Sequence, residues 1–234
     1  MNNKIKRLLI IPARKNSKRI KLKNIKNFCG QPIIWYPIKA AIKSKLFAKI
    51  HVSSDSNEII KKINKLKIKT DFLRKKNLSD DKTSIIKVIK HVNKCFENKG
   101  EFYDQIWCIL PCNPLINEKD LIKAANFFDL NNKKPIISIC KYDCPIEWAF
   151  KMKNNNILTP IDYKQHSKRS QDLESKYYDA GIFYIYQRQY LKAINEKKIY
   201  NCYRGFEIDR EKVVDIDTTE DWKFAETIYK GRIK

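Results

Sequence analysis

Short apolar runs alternate with helical patterns along most of the chain, and this alternation limits the possible folds more than any other feature. Short apolar runs between turn residues are typical of buried strands, and apolar residues spaced three and four apart are typical of helices. The strands are expected at Leu8–Ile11, Lys49–Ser53, Gln105–Leu110, Pro135–Cys140 and Ile182–Tyr186. Helices are expected at Pro32–Phe47, at Ser84–Asn98 and at Glu118–Leu130, where Asn117 provides the cap. Another helix is expected to begin at a capping box formed by Asp55–Glu58.

Helices between successive strands provide the crossovers that parallel pairing needs. We therefore predict an α/β fold, in which a Rossmann-like, mainly parallel sheet is flanked by helices. A chain of 234 residues fits one such domain, so residues 1–234 are taken as a single unit. Ligands of parallel sheets bind beyond the carboxyl ends of the strands, which gives weight to the segments after Ile11, Ser53, Leu110 and Val214.

Residues 142–178 break the alternation. This segment is polar and irregular, with a turn at Asn154–Asn156, yet it carries the aromatic residues Trp148 and Phe150. Aromatic residues are scarce in disordered segments, so their presence favours packing. We interpret residues 142–178 as an insertion that covers the site or contacts a partner subunit.

The formal net charge is +23, with 49 Lys and Arg against 26 Asp and Glu. Such a charge is compatible with a nucleic-acid-binding protein, which is the alternative from another functional class. The excess is mostly lysine scattered among isoleucine and asparagine, as in Lys61–Lys69, without a concentrated basic tail. This distribution favours solvated surfaces over a nucleic-acid interface, and we expect no nucleic-acid partner. A positive field still attracts anionic small molecules.

The seven cysteines form no CxxC pair, and neither Cys108 with Cys112 nor Cys140 with Cys144 has the spacing of a zinc site. An odd number of cysteines, without a signal-peptide pattern, indicates a reducing compartment. The apolar runs are far shorter than a membrane span requires. We therefore expect a cytoplasmic protein that does not bind membranes.

The turn after the first predicted strand is the first candidate site. Residues Pro12–Asn24 contain several cations, among them Arg14, Lys18 and Lys23. A triphosphate and a departing pyrophosphate require hydrogen-bond donors and fixed positive charge. The turn has neither the Walker pattern GxxxxGK[ST] nor the dinucleotide pattern GxGxxG, which argues against a P-loop ATPase and a dehydrogenase. Taken alone, a solvated basic loop is the simpler explanation.

The second candidate site is an acidic pair, Asp215 and Asp217, after the apolar residues Val213–Val214. In extended chain, residues two apart face the same side, so two such carboxylates can share Mg²⁺ with phosphate oxygens. The alternative is a helix N-terminus, because Thr218–Asp221 is a good capping run and acidic residues are favoured there. The two interpretations are compatible.

The third candidate site is Lys168–Glu174, which precedes Tyr177–Gly181. Arg169 and Gln171 are suited to holding a carboxylate or sugar hydroxyls. The alternative is a charged surface loop before a strand. Among the histidines, His166 is the one candidate for proton transfer, because it lies close to Arg169 in the sequence.

The order of these motifs resembles that of the acylneuraminate cytidylyltransferases. The patterns that carry the resemblance are PARxxSKRxxxKN from Pro12, RxxxLSD from Arg74, PxxP from Pro111, RSQDLExxYxDAG from Arg169 and DxDTxxDW from Asp215. The similarity extends from Leu8 to about Glu226. Within the family, Arg169–Glu174 and Asp179–Gly181 are most similar to the branch that activates pseudaminic acid.

This resemblance implies a nucleotide-diphospho-sugar transferase fold and a homodimer that uses the insertion at 142–178. It implies that CTP and an acidic nine-carbon sugar, pseudaminic acid first of all, react with Mg²⁺ to give the CMP-sugar and pyrophosphate for a surface or flagellar glycan. The alternatives are N-acetylneuraminate, legionaminate or eight-carbon keto-deoxyoctulosonate as the sugar, or a catalytically inactive subunit. The implied residues are Arg14, Lys18, Lys23 and Asp217 for catalysis, Ala13, Arg14, Ser17, Asn24 and Arg74 for the nucleotide, Arg169, Gln171 and Asp179 for the sugar, and Asp215 and Asp217 for the metal.

Two positions depart from the family patterns. Lys15–Asn16 stand where the pseudaminate branch often has Gly-Gly, which restricts the backbone of the phosphate loop. Leu110 stands where sialic acid enzymes often have a glutamine that contacts the sugar. The second departure predicts an apolar wall at this side of the pocket.

Overall fold

The computed structural model describes residues 5–15, 17, 19–80, 82–196 and 199–232. The strands are β1 (Arg7–Pro12), β2 (Asn27–Phe28), β3 (Gln31–Pro32), β4 (Lys49–Ser53), β5 (Gln105–Ile109), β6 (Ile136–Lys141), β7 (Phe150–Met152), β8 (Leu158–Pro160), β9 (Tyr177–Gln187) and β10 (Arg204–Glu207). The helices are α1 (Trp35–Ser44), α2 (Asn57–Lys65), α3 (Ile85–Glu97), α4 (Glu118–Leu130), α5 (Arg188–Ala193) and α6 (Thr219–Arg232). Short 3₁₀ turns connect several of these elements.

The central sheet has the strand order β10-β6-β9-β5-β1-β4 in the described part of the chain. β1 is parallel to both β4 and β5, and β10 is parallel to β6. β9 lies between β5 and β6 and is antiparallel to both. The predicted α/β fold with a mainly parallel sheet is confirmed, and β9 is the exception to the parallel rule.

Both faces of the sheet are buried, as expected for strands covered by helices on each side. Leu9 and Ile11 of β1 belong to one apolar cluster, with residues of α1 and α4. Leu8 and Ile10 point to the other face and pack with residues of α3. Each fully buried aliphatic side chain of this kind contributes about 1.5–3 kcal/mol, so the strands that carry the site form a rigid base.

Helix α1 begins at Trp35, three residues after the predicted start at Pro32, and ends before the predicted Phe47. The prediction was wrong at its start because Gln31–Pro32 pairs with β2 as a short antiparallel strand. Pro37 lies in the first turn of α1, where backbone N–H groups have no intrahelical acceptor. The proline therefore does not interrupt the helix.

The cap of α2 is Ser56, not Asp55, and its Oγ accepts a hydrogen bond from the Ile59 amide at 3.4 Å. The carboxylate of Asp55 instead accepts from the Lys15 amide at 3.1 Å, so tertiary contact overrides the local pattern. The predicted cap of α4 is confirmed, because Asn117 and Asp120 form a reciprocal capping box.

The segment between β6 and β9 contains a small hairpin, in which β7 pairs with β8. In the described residues this hairpin forms a separate two-stranded sheet outside the central one. Several large apolar side chains of the segment are exposed, including Phe150, Met152, Leu158 and Tyr163. Across the ranges that the structure describes, no helix has the length and apolar character needed to cross a bilayer.

Candidate active site

A cavity of about 660 Å³ opens at the carboxyl ends of β1 and β5. Parallel strands present their carboxyl ends at one edge of the sheet, and loops from distant parts of the sequence meet there. The wall is formed by residues from Pro12–Asn24, Arg74–Val88, Leu110–Asn113, Ala180–Gly181 and Val214–Asp217. All segments to which the strand-end rule gave weight contribute to this wall or lie directly behind it.

The basic turn leaves β1 through Ala13, whose amide donates to the Ser53 carbonyl at 2.9 Å and extends the pairing with β4. The buried Asn24 side chain closes the turn, because its Nδ2 donates to the Arg14 carbonyl at 2.9 Å. Arg14 lines the cavity and donates from its guanidinium to the Asp80 carbonyl at 3.3 Å. Ser17 also lines the cavity, whereas the predicted residue Lys18 lies outside the described residues.

Cations of the basic turn meet the acidic pair across the cavity. Lys23 Nζ donates to the Ile216 carbonyl at 2.7 Å and lies 3.2 Å from Asp217 Oδ1. Arg19 contacts the other oxygen of the same carboxylate, Asp217 Oδ2, at 2.6 Å. Residues almost 200 positions apart, with a separation of 194 for Lys23 and Asp217, therefore form one charged wall.

Asp215 lies beside this ion-paired group and also lines the cavity. Desolvation raises the pKa of the Asp215 carboxyl, the Asp217 carboxylate raises it further, and Lys23 opposes the shift. A cation bound beside Asp215 would favour its charged form and oppose this shift. The hard oxygen donors of the two carboxylates suit Mg²⁺, which often binds one or two carboxylates together with phosphate oxygens and water. The described residues contain no cluster of three or more His, Cys, Asp or Glu side chains that could hold a metal ion.

The acidic pair also stands before a helix, as the alternative interpretation expected. Asp221 Oδ2 accepts from the amides of Asp217 and Thr218 at 3.0 and 2.7 Å. The Asp221 amide in turn donates to Thr218 Oγ1 at 3.2 Å. The start of α6 thus fixes the backbone that carries the acidic pair, which confirms the helix N-terminus. Metal binding by the pair stays a prediction.

Arg74 closes the cavity on the β4 side. Its amide donates to the Ser54 carbonyl at 2.8 Å, and its guanidinium donates to the Ser53 carbonyl at 3.2 Å. The side chain is buried, which lowers the pKa of the guanidinium, and Arg14 lowers it further while Asp55 opposes. Among the described residues, the buried Nε atom of Arg74 has no hydrogen-bond partner. This cation is therefore placed to bind an anion or a base oxygen in the cavity.

The predicted sugar-binding residues Arg169 and Gln171 do not line this cavity. They lie in a second cavity of about 650 Å³ on the insertion, together with Trp148, Phe150 and His166. The Arg169 guanidinium pairs with Asp172 at 3.1 Å. Within one chain these side chains are not brought to the cavity at the ends of β1 and β5, and their role stays a prediction.

Asp179, the third predicted sugar residue, makes its hydrogen bonds within its own strand, β9. Asp179 Oδ1 accepts from the Gly181 amide at 2.8 Å, and Oδ2 accepts from the Tyr184 hydroxyl at 2.7 Å. The neighbouring residues Ala180 and Gly181, rather than the carboxylate, line the cavity.

Arg19, Cys112 and Asn113 are among the cavity residues that the sequence analysis did not assign. Burial raises the pKa of the Cys112 thiol to about 12, and this neutral thiol donates to Asn24 Oδ1 at 3.5 Å. The sequence signal for Cys112 and Asn113 was the PxxP pattern after β5. This pattern lies at the carboxyl end of a strand, where ligands of parallel sheets are expected to bind. Arg19 lies within the basic turn, but no sequence pattern distinguished it from the neighbouring basic residues.

This arrangement is suited to a polyphosphate reaction. The fixed cations of the charged wall can hold phosphate oxygens, and the carboxylates of the same wall can share a divalent cation with them. The wall formed by Leu110, Pro111 and Ala180 is apolar and uncharged. It leaves space for a second substrate beside the charged wall.

Comparisons with known proteins support this chemistry. The profile of a family described as cytidylyltransferase matches residues 8–233. The chain is 37% identical over 227 residues to a pseudaminic acid cytidylyltransferase of Campylobacter jejuni, covering 97% of each chain. It is 25% identical to a CMP-N,N'-diacetyllegionaminic acid synthase of Legionella pneumophila, covering 94% of this chain and 95% of that one. A solved CMP:2-keto-3-deoxy-manno-octonic acid synthetase in complex with CTP shares the fold, with a TM-score of 0.71, 15% identity, and coverage of 97% of this chain and 99% of that one.

Proposed function

The chain belongs to the cytidylyltransferase family, and from this premise we propose that it couples pseudaminic acid to cytidine monophosphate, using CTP and releasing pyrophosphate. The observation that carries the proposal is the 37% identity, over 97% of both chains, with an enzyme named for this reaction. The charged wall and the adjacent uncharged wall of one cavity support it, because a nucleotide triphosphate and a sugar have to meet there. The resulting CMP-sugar would serve a surface or flagellar glycan.

In the proposed reaction, the anomeric hydroxyl of the sugar attacks the α-phosphorus of CTP, and the bond to the β-phosphate oxygen breaks. Arg14, Lys18 and Lys23 stabilise the negative charge that develops on the departing pyrophosphate. Lys23 is held at 2.7 Å by the Ile216 carbonyl, so its charge needs little reorganisation. Asn24 orients the turn through the Arg14 carbonyl, and Arg74 supplies a buried cation on the far side of β1.

We propose Mg²⁺ as the cofactor, with Asp215 and Asp217 as the protein residues that would hold it. When bound, it would neutralise charge on the phosphate oxygens. The contribution of the chain is the position of the two carboxylates, which the start of α6 fixes through Asp221. Because Arg19 and Lys23 pair with Asp217, these cations and the metal would share one carboxylate.

We propose that the protein is a homodimer in which a second copy covers the insertion at 142–178. Exposed apolar side chains support this, because Met152 is 68% exposed and Leu158 is 55% exposed on the β7–β8 hairpin. Arg169 and Gln171 belong to the same segment, and as sugar-binding residues they would act near such an interface. The cysteines are all free thiols, which supports the cytoplasm as the proposed compartment.

The decisive experiment is a pyrophosphate-release assay on the purified protein with CTP, Mg²⁺ and a panel of nonulosonic acids. We expect release with pseudaminic acid at a higher kcat/KM than with legionaminate, N-acetylneuraminate or keto-deoxyoctulosonate. A higher kcat/KM for another acid would change the assigned sugar and leave the reaction class in place. No release with any of the acids, together with steeply salt-dependent binding to DNA or RNA, would instead favour a nucleic-acid-binding protein.

A further inference from the structure

The pairing of β6 with β9 contains an irregularity at the cavity. Ile137 lies opposite Tyr184, but the next paired residue on the same strand, Ile139, lies opposite Asp179. One residue of β6 therefore stands against the whole segment Ala180–Phe183 of β9. Bulges of this kind remove backbone groups from the ladder, and buried groups of this type have to find other partners.

Ser138, the β6 residue at the irregularity, supplies two of these partners. Its side chain is fully buried. Its Oγ accepts from the Ile182 amide at 3.2 Å and from the Phe183 amide at 3.0 Å. A single hydroxyl thus satisfies two consecutive amides that the irregular pairing leaves without a regular partner.

Asp179 holds the other end of the bulge. Its Oδ1 accepts from the Gly181 amide at 2.8 Å, and its Oδ2 accepts from the Tyr184 hydroxyl at 2.7 Å. Gly181 has a φ of 62°, in the left-handed region that residues with a side chain rarely adopt. The carboxylate therefore stabilises a backbone conformation that ordinary strand pairing does not produce.

Asn113 joins the bulge to the end of β5. Its side chain is buried, and Nδ2 donates to the Leu110 carbonyl at 3.0 Å and to the Gly181 carbonyl at 2.9 Å. The two N–H groups of the Asn113 side-chain amide can thus connect the backbone after β5 to the backbone of the bulge. Removing it would leave two carbonyls without this donor.

The sheet order places this bulge away from the charged wall. β9 is next to β5, on the side opposite to β1 and β4, which lead to Arg14 and Arg74. Ala180 and Gly181 nevertheless line the same cavity as those cations. If the phosphates bind at the charged wall, the bulge is a part of the same cavity that remains available to the acceptor.

We infer that Ser138, Asp179 and Asn113 are positioning residues that hold Ala180–Phe183 of β9 as a rigid wall for the acceptor sugar. The inference rests on the proposed function for the identity of the acceptor. It also changes the expected role of Asp179, which acts on the sugar through the Gly181 backbone instead of contacting it. The three side chains together bind three backbone amides and two backbone carbonyls at the bulge and at the end of β5. For this reason none of them is expected to be replaceable by a residue without a polar group.

The test combines amide exchange with steady-state kinetics on three variants, Ser138→Ala, Asp179→Ala and Asp179→Asn. Ser138→Ala should accelerate hydrogen exchange at the amides of Ile182 and Phe183. The two alanine variants should raise the KM for the acceptor acid about tenfold, the effect of losing roughly one buried hydrogen bond, and leave the KM for CTP within about twofold. Asp179→Asn keeps an oxygen for the Gly181 amide and should fall between wild type and Asp179→Ala.

Asp129→Asn is the matched control, because Asp129 binds Arg7 and Gln105 at the opposite edge of the sheet. It should leave both KM values unchanged. Unchanged hydrogen exchange at Ile182 and Phe183 in Ser138→Ala would contradict the proposed role of Ser138 in holding the bulge, whatever the activity of the variant. An equal rise of both KM values, or of neither, would overturn the acceptor wall, since a purely structural role predicts no selectivity between substrates. A wild-type protein that exchanges as expected but releases no pyrophosphate would instead refute the proposed function.

Discussion

The cavity at the sheet edge and the insertion at 142–178 differ in how far one chain satisfies their side chains. At the cavity, Lys23 and Asp217 are bonded to each other, and the buried Asn24 holds the Arg14 carbonyl. On the insertion, Tyr163 is 72% exposed, as are other large apolar side chains. The charged side chains Lys23 and Asp217 of the cavity are therefore paired within one chain, whereas the insertion leaves large apolar side chains exposed.

The difference has a structural cause. The cavity is carried by β1 and β5, whose residues are buried on both faces of the sheet. The insertion has only the hairpin of β7 and β8, whose residues are mostly exposed. Segments with few buried contacts have low local stability and adapt more readily to a partner or ligand. Changes at the charged wall of the cavity should therefore affect chemistry, and changes on the insertion should affect assembly and the part of sugar binding proposed for Arg169 and Gln171.

The largest effect is expected for Asp217→Ala in the charged wall. Loss of a carboxylate that is proposed to hold the metal and that pairs with Arg19 and Lys23 should lower kcat by more than about 100-fold. Pyrophosphate release measures this effect, and circular dichroism checks the fold. Asp209→Ala, which removes an acid paired with Lys212 outside the cavity, is the control and should keep its activity. A nearly normal rate for Asp217→Ala would remove this residue from the site.

A charged residue introduced on the insertion should change the oligomeric state of the protein. We expect Leu158→Glu to convert a dimer into a monomer, because a carboxylate would be buried without a partner in the interface. Multi-angle light scattering measures the mass. Leu130→Glu changes an exposed leucine on α4, outside the insertion, and should remain dimeric. A wild-type protein that is already monomeric would contradict the proposed dimer.

Arg169→Ala tests whether the insertion contributes to the sugar site. The KM for the acceptor acid should rise about tenfold, because a guanidinium that binds a carboxylate is lost, and the KM for CTP should not change. Asp172→Ala removes the partner of Arg169 but keeps the guanidinium, so its KM for the acid should stay near that of wild type. If the KM for the acid and the KM for CTP rise together in Arg169→Ala, Arg169 does not act selectively on the sugar as proposed.

The smallest effect concerns His51, which is fully buried in β4 behind the cavity. Burial lowers its pKa, and Asp71, 3.2 Å from Nδ1, opposes the shift. The unfolded chain then binds more protons than the folded one between the folded pKa and about 6.5, so the free energy of unfolding decreases as the pH falls through this window. The expected loss is about 1.4 kcal/mol for each unit by which the folded pKa is lowered.

Urea unfolding between pH 7 and pH 5 measures this slope, and His51→Gln should reduce it. Asp71 does not interfere, although it contacts His51. Burial alone would raise its pKa, but hydrogen bonds from His51 and Lys49 lower it below the ordinary 3.8, so its own contribution is lost only under more acidic conditions. An identical slope in wild type and His51→Gln would show that His51 titrates as in the unfolded chain.

Much of the nucleotide side could be predicted from local patterns. The strands β1, β5 and β6 were recognisable because they are largely apolar, as strands buried on both faces require. The basic turn follows β1, so the rule that ligands bind beyond the carboxyl ends of parallel strands predicted its position. The acidic pair was expected after a strand end at Val214, but the described structure has no strand there, and the start of α6 positions the pair instead. The cap of α2 was misassigned because Asp55 is used by the Lys15 amide, a contact that no local pattern indicates.

The sequence by itself determined the α/β fold, the motifs of the basic turn and the acidic pair, and the family, because these depend on periodicity and on motifs that lie within short segments. Only the tertiary structure decided that β9 runs antiparallel between β5 and β6 and bulges into the cavity. It also decided that Asn113 binds Gly181, 68 residues away, and that Asp179 supports the backbone. The physical reason is that backbone groups freed by a bulge choose their partners by proximity in space, which local sequence patterns do not encode.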